Sequence, residues 1–302
     1  MTTTAQPTTH RLKVPGADLY YEVRGSGPLL LVIGQPMTSG PFGPLADLLA
    51  TDHTVVTYDP HGVGQSTADD PSQDVTAEVE ADELAQLIDA VGGGPADVFG
   101  SSGGAIAGLA LAARHPDKVR TLIAHEPPVT PLLPDAPYAY AVIDDIVDAY
   151  RAHGSGAAWG KFVSLVIHDG PVTEAGVPPV TWPPPGQDAP DADGQDSEDA
   201  DAQQAPQASP EKQQADDEMF FLRMLKPINH YKPDIDALRS GRPRVVVAVG
   251  ETSRGELARR AADALAEQLG TPATRFPGHH GGFMDDPAGF ASAIREVLAK
   301  TA

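Results

Sequence analysis

The chain has 302 residues, 41% hydrophobic and 21% charged, a net charge of −21 and no cysteine. This is ample for a buried core, and it excludes disulfides, a thiol nucleophile and cysteine-held metals. So negative a balance argues against nucleic acid or an anionic membrane surface as a partner, because both select for Lys and Arg.

The N-terminal stretch "MTTTAQPTTHRLKVPG" has no basic segment followed by an apolar one, and no run approaches a membrane span, so a cytoplasmic location is expected. "HRLKV" and "DLYYEVR" then read as two strands joined by a Pro-Gly turn. "PLLLVIG" is a continuous apolar run, as expected of a strand covered on both faces. A helix is expected from Phe42 to Ala50, and a buried strand in "HTVVTYDP". "VTAEVEADELAQLIDAVG" carries Val79, Leu84, Leu87, Ile88 and Val91 at helical spacing and stops at glycine. "ADVFG" is a strand, "SGGAIAGLALAARHP" a helix and "VRTLIAHEPP" a strand. Between Asp188 and Glu218 lie eleven acidic residues and one lysine, with almost nothing apolar. Such a stretch buries too little surface to offset chain entropy, so disorder is expected across 184–217. "PRVVVAVG", "SRGELARRAADALAEQLG", "ATRF" and "PAGFASAIREVLAK" continue as strand, helix, strand and helix. The alternation implies an α/β protein, a mostly parallel sheet with helices on both faces. Its ligands bind beyond the carboxyl ends of the strands.

Those ends carry the chemistry. After "ADVF" comes Gly100-Ser101-Ser102-Gly103-Gly104, a G-x-S-x-G between strand and helix. A sharp turn there lifts the Ser102 hydroxyl clear of the sheet, and the flanking glycines permit close approach. The Gly103 N–H at the helix start is placed to receive an oxyanion. A dinucleotide fingerprint, G-x-G-x-x-G, is absent. After "LLLVI" comes Gly34-Gln35-Pro36; Pro36 has no N–H, so Gln35 is the second oxyanion donor, by its backbone or its side-chain amide. Of the ten histidines, His279 and His280 lie in "FPGHHGGFMDDPAGF", on a loop that can reach across the sheet end, and His280 is preferred as general base. A carboxylate is needed to orient its imidazole. Glu126 after "VRTLIA" and Glu251 after "RVVVAV" both qualify.

These residues make the chain resemble the α/β-hydrolase superfamily over roughly Arg11 to Ile123 and Arg244 to Leu298. "DPHGVGQS" at Asp59 to Ser66 is similar to a D-x-R-G-x-G-x-S turn common there, with His61 where arginine is usual; it is read as structural. The resemblance implies an acid after the "VVVAV" strand, where Ser253 occupies the usual slot and cannot serve. Some branches place it one strand earlier, which favours Glu126 over Glu251. It also implies a core of 1–126 and 242–302 with a helical cap inserted at 127–241. "AVIDDIVDAYRAHGSGAAWGKFVSLVI" and "EMFFLRMLKPINHY" supply the cap helices, with Phe220, Phe221 and Met224 as candidate substrate contacts.

The expectation is a serine hydrolase needing no metal or organic cofactor, acting on a small-molecule ester or lactone. Carbon–carbon-bond hydrolysis, acyl transfer and cofactor-free perhydrolysis would use the same residues. A non-catalytic ligand-binding protein on this scaffold is the alternative from another class.

Overall fold

The computed structural model describes residues 6–180 and 209–300. Among these the sheet contains β1 (Thr8–Val14), β2 (Ala17–Gly25), β3 (Leu29–Gln35), β4 (Thr54–Tyr58), β5 (Thr67–Ala68), β6 (Ala96–Ser102), β7 (Val119–His125), β8 (Arg244–Gly250) and β9 (Thr274–Phe276). Their order is β1-β2-β4-β3-β6-β7-β8-β9, with the short β5 beside β2. β1, β2 and β4 pair antiparallel, and from β4 through β3 to β9 every pairing is parallel.

The helices are α1 (Gly43–Leu49), α2 (Ala77–Val91), α3 (Gly103–Arg114), α4 (Ala136–His153), α5 (Ser155–Val166), α6 (Pro210–Met219), α7 (Leu225–His230), α8 (Ile235–Arg239), α9 (Leu257–Leu269), α10 (Gly282–Asp285) and α11 (Pro287–Ala299). Period-two alternation in the strands builds a core on each face of the sheet. Leu29, Leu31 and Ile33 of β3 join α2, α3 and α4. Leu30 and Val32 join α1 and α11 on the other side. β3 is therefore buried along its whole length, as its unbroken apolar run requires.

From β3 the chain moves to β4 on one side and later to β6 on the other. The carboxyl ends of β3 and β6 thus flank the point where strand order reverses, the usual ligand position in open α/β sheets. Gln35 and Ser102 are register partners there.

The segment between β7 and β8 differs from expectation in two respects. Residues 210–217, expected to lack order, lie in α6; the rest of the acidic segment, 184–208, falls outside the described residues. Ser209 caps α6 by accepting from the Lys212 N–H, and Pro210 opens it, a strong helix start. Asp216 accepts from the Gly64 N–H (3.0 Å) and Asp217 from Trp159 Nε1 (3.0 Å). The acids at this end are tertiary anchors, which composition alone does not reveal. Secondly, α6 and α7 are joined by a π-helical turn, Phe220–Met224. Pro227 brings no N–H to the preceding turn, and the Arg223 carbonyl accepts from the Val75 N–H instead (3.0 Å). This ties the π turn to the loop before α2.

Candidate active site

Ser102 ends β6 with φ 57° and ψ −125°, a region that non-glycine residues rarely occupy. Close packing enforces the turn. A Cβ on Gly100 would lie 2.6 Å from the Gly104 carbonyl oxygen, and one on Gly104 would lie 2.7 Å from the Gly34 Cα. Both glycines are therefore required by backbone approach, as the strand–turn–helix reading expects. The Ser102 side chain does not cap α3, so its hydroxyl is free for other work.

His280 follows β9 on the loop leading to α10. Its Nδ1 lies 2.8 Å from Glu126 Oε2. Glu126 immediately follows β7, is 1% exposed and has φ 44°. Its Oε1 accepts from the Gly250 N–H at 2.9 Å. Burial alone would raise its carboxyl, but the hydrogen bond and charge of His280 outweigh burial and hold it down to about 2. Glu126 is thus a carboxylate fixed at both oxygens. Glu251 is exposed, its backbone N–H joined to the Phe276 carbonyl. His279 points outward and pairs with Asp285 at 3.0 Å. Of the two candidate acids and two candidate bases, the fold brings together Glu126 and His280.

Ser102, Gly103, Gln35 and His280 line one cavity of about 60 Å³. No hydrogen bond links Ser102 to His280 here; without substrate such bonds are commonly long. Phe162, Leu165, Val166, Phe220, Met224 and Ile228 are among its apolar walls. Two of the three expected contacts, Phe220 and Met224, therefore reach it. Phe221 does not. It is turned to the far side of the π turn, fully buried against Tyr150 and Trp159 at centroid distances of 5.4 and 4.9 Å. Asn229 is a polar member of the cap wall, held by the Leu225 carbonyl and the Thr130 hydroxyl.

The Gln35 side-chain amide has a partner of its own. Its Nε2 donates to Glu80 Oε1 at 2.8 Å. Glu80 and Glu83 of α2 are both buried, at 0% and 2% exposure. His61 Nδ1 lies 2.6 Å from Glu83 Oε1. Apolar periodicity does not single out the two glutamates, yet their phase is visible: Glu80 is three residues after Ala77 and four before Leu84, both on the buried face. Under the site, the Ser101 hydroxyl and His125 Nδ1 lie 3.0 Å apart. Burial pushes the fully enclosed His125 imidazole down to about 3. Among the described residues no cluster of three or more His, Asp or Glu is arranged to hold a metal ion, and no helix is long and apolar enough to cross a membrane.

The sequence matches the family model for the alpha/beta hydrolase fold over residues 27–252. The chain belongs to that family. Over 297 residues it is 29% identical to YraK, an uncharacterized hydrolase of Bacillus subtilis (strain 168), covering 96% of this chain and 95% of that one. It is 32% identical to the zearalenone hydrolase of Cladophialophora bantiana over 117 residues, 37% of this chain and 44% of that enzyme. Among solved structures, a thermophilic esterase from Thermogutta terrifontis superposes with a TM-score of 0.69 at 20% identity, over 98% of this chain and 99% of that one.

Proposed function

We propose that the protein is a serine hydrolase acting on small, uncharged carboxylic esters or lactones through an acyl-enzyme. The observation that carries this reading is the Glu126–His280 pair, 2.8 Å long, beside the same cavity as the strained Ser102. His280 takes the Ser102 proton as Oγ attacks the substrate carbonyl, and Glu126 fixes the imidazole tautomer and balances its charge. The backbone N–H groups of Gly103 and Gln35 receive the oxyanion. The tetrahedral intermediate collapses, the bond to the leaving oxygen breaks, and His280 passes that oxygen its proton. Water, deprotonated by His280, then attacks the acyl carbon and returns Ser102.

The cavity supports the size limit. Its volume of about 60 Å³ is well below the ~150 Å³ that accepts benzene, so a short acyl chain fits and a long one does not. Its walls carry no Lys, Arg, Asp or Glu, so a charged group entering it would lose hydration without a partner. The hydrolase and esterase names of the relatives point the same way. Turnover of p-nitrophenyl acetate and butyrate, measured in wild type and Ser102→Ala, tests the reading. Loss of turnover in the variant is expected; equal turnover in both overturns it.

A further inference from the structure

Beneath the oxyanion corner lies a set of buried polar groups that the proposed mechanism does not use. Glu80 of α2 has no exposed surface. Its Oε1 accepts the Gln35 amide at 2.8 Å, and its Oε2 has no partner. The neighbouring Glu83 Oε2 and the Tyr58 hydroxyl are likewise buried and unpartnered. On its other side the Gln35 side chain abuts the helix start: a Cβ added to Gly103 would lie 2.5 Å from Gln35 Oε1 and 3.1 Å from the Gln35 carbonyl oxygen. Gln35 is thus clamped between Glu80 and Gly103, and its backbone is in register with Ser102.

We propose that Glu80 is a positioning residue for the oxyanion corner: its carboxyl holds the Gln35 side chain, and so sets the Gln35 peptide against Gly103. This rests on the serine-hydrolase reading. A group that touches no reacting atom still matters there, because an oxyanion donor is effective only over a few tenths of an ångström. The single donor on Glu80 is a neutral amide, which does not compensate a buried charge. Burial, followed by repulsion from Glu83, pushes its carboxyl well above the usual range. The titratable groups acting on this cluster are Asp82 and Glu83 on the same helix, Tyr58 at the end of β4, and Asp59 and His61 in the next turn. Burial raises Glu83 too, opposed by its bond to His61.

The test compares Glu80→Gln and Glu80→Leu with wild type, using p-nitrophenyl acetate as substrate and phenylboronic acid as a tetrahedral mimic. Glu80→Leu should lower kcat by 10- to 100-fold with KM within threefold, and weaken boronate inhibition by a similar factor. Glu80→Gln keeps an acceptor for the Gln35 amide. Its kcat should stay within threefold of wild type. A folded Glu80→Leu with wild-type kcat overturns the proposal, and so does a Glu80→Gln whose kcat falls tenfold or more, even where the leucine variant does not fold. A wild-type enzyme that is active on the ester and indifferent to both changes removes only the role of Glu80. A wild type without turnover removes the hydrolase reading and this role together.

Discussion

Glu126 and His280 stand 154 residues apart in the chain and 2.8 Å apart in the fold. β7 delivers the glutamate, and the loop after β9 delivers the histidine. Glu251, the rival acid, sits on the surface. Glu126→Gln should therefore lower kcat/KM by roughly 10³–10⁴-fold, the scale of losing the residue that fixes a catalytic imidazole, whereas Glu251→Gln stays within twofold. The comparison is read from ester hydrolysis at one pH. Equal effects, or a larger one for Glu251→Gln, would move the acid to the β8 loop.

Strain at Ser102 has its own signature. A non-glycine residue in such a region costs about 1–3 kcal/mol, partly offset by the extra freedom glycine regains on unfolding. Ser102→Gly should thus be more stable than wild type by about 1 kcal/mol, although inactive. Ser102→Ala keeps the strain and should match wild type within about 0.5 kcal/mol. Urea denaturation of the three proteins gives the ordering; a glycine variant less stable than alanine contradicts it.

Met224 closes one wall of the cavity from the π turn. On a series of p-nitrophenyl esters, wild type should favour acetate and butyrate over octanoate. Met224→Ala should raise the octanoate-to-acetate ratio of kcat/KM about tenfold, while losing about 2–4 kcal/mol of stability through the cavity it leaves. An unchanged ratio would place the acyl chain elsewhere.

His125 makes the fold acid-sensitive. Its imidazole falls from 6.5 to about 3 in the folded protein, so below pH 6.5 the unfolded chain binds a proton that the folded one refuses. Stability is therefore lost as pH falls through that window, by about 2 kcal/mol between pH 6.5 and 5. Glu126 adds to the loss only lower, between its ordinary 4.5 and about 2. In His125→Phe, which suits the surrounding Phe99, Phe276 and Phe290, the upper part of this slope should vanish. An unfilled bond at Ser101 would cost about 1–2 kcal/mol at every pH. A slope identical to wild type would show that His125 is not the group responsible.

Much of the frame was legible because it rests on local rules. Runs such as "LLLVI" admit only a strand with both faces covered, and Gly100 and Gly104 signal a turn that nothing larger can enter. Ser102, His280 and two candidate acids, Glu126 and Glu251, stand beyond strand ends, and only the family resemblance favours Glu126 between the two. What stayed hidden depends on partners distant in sequence. Asp216 and Asp217 look like part of an acidic tail until Gly64 and Trp159 are brought to them. Glu80 and Glu83 look like a solvated helix face until the phase set by Ala77 and Leu84 turns them inward. Phe220 and Phe221 are adjacent and both pack on Trp159, and only Phe220 also lines the cavity.

Labelling the folded protein with a fluorophosphonate and reading its intact mass tests the assignment of Ser102 most directly. A single adduct on wild type that disappears in Ser102→Ala is the predicted result. A folded wild type that takes no adduct, or an adduct that survives in Ser102→Ala, would contradict it.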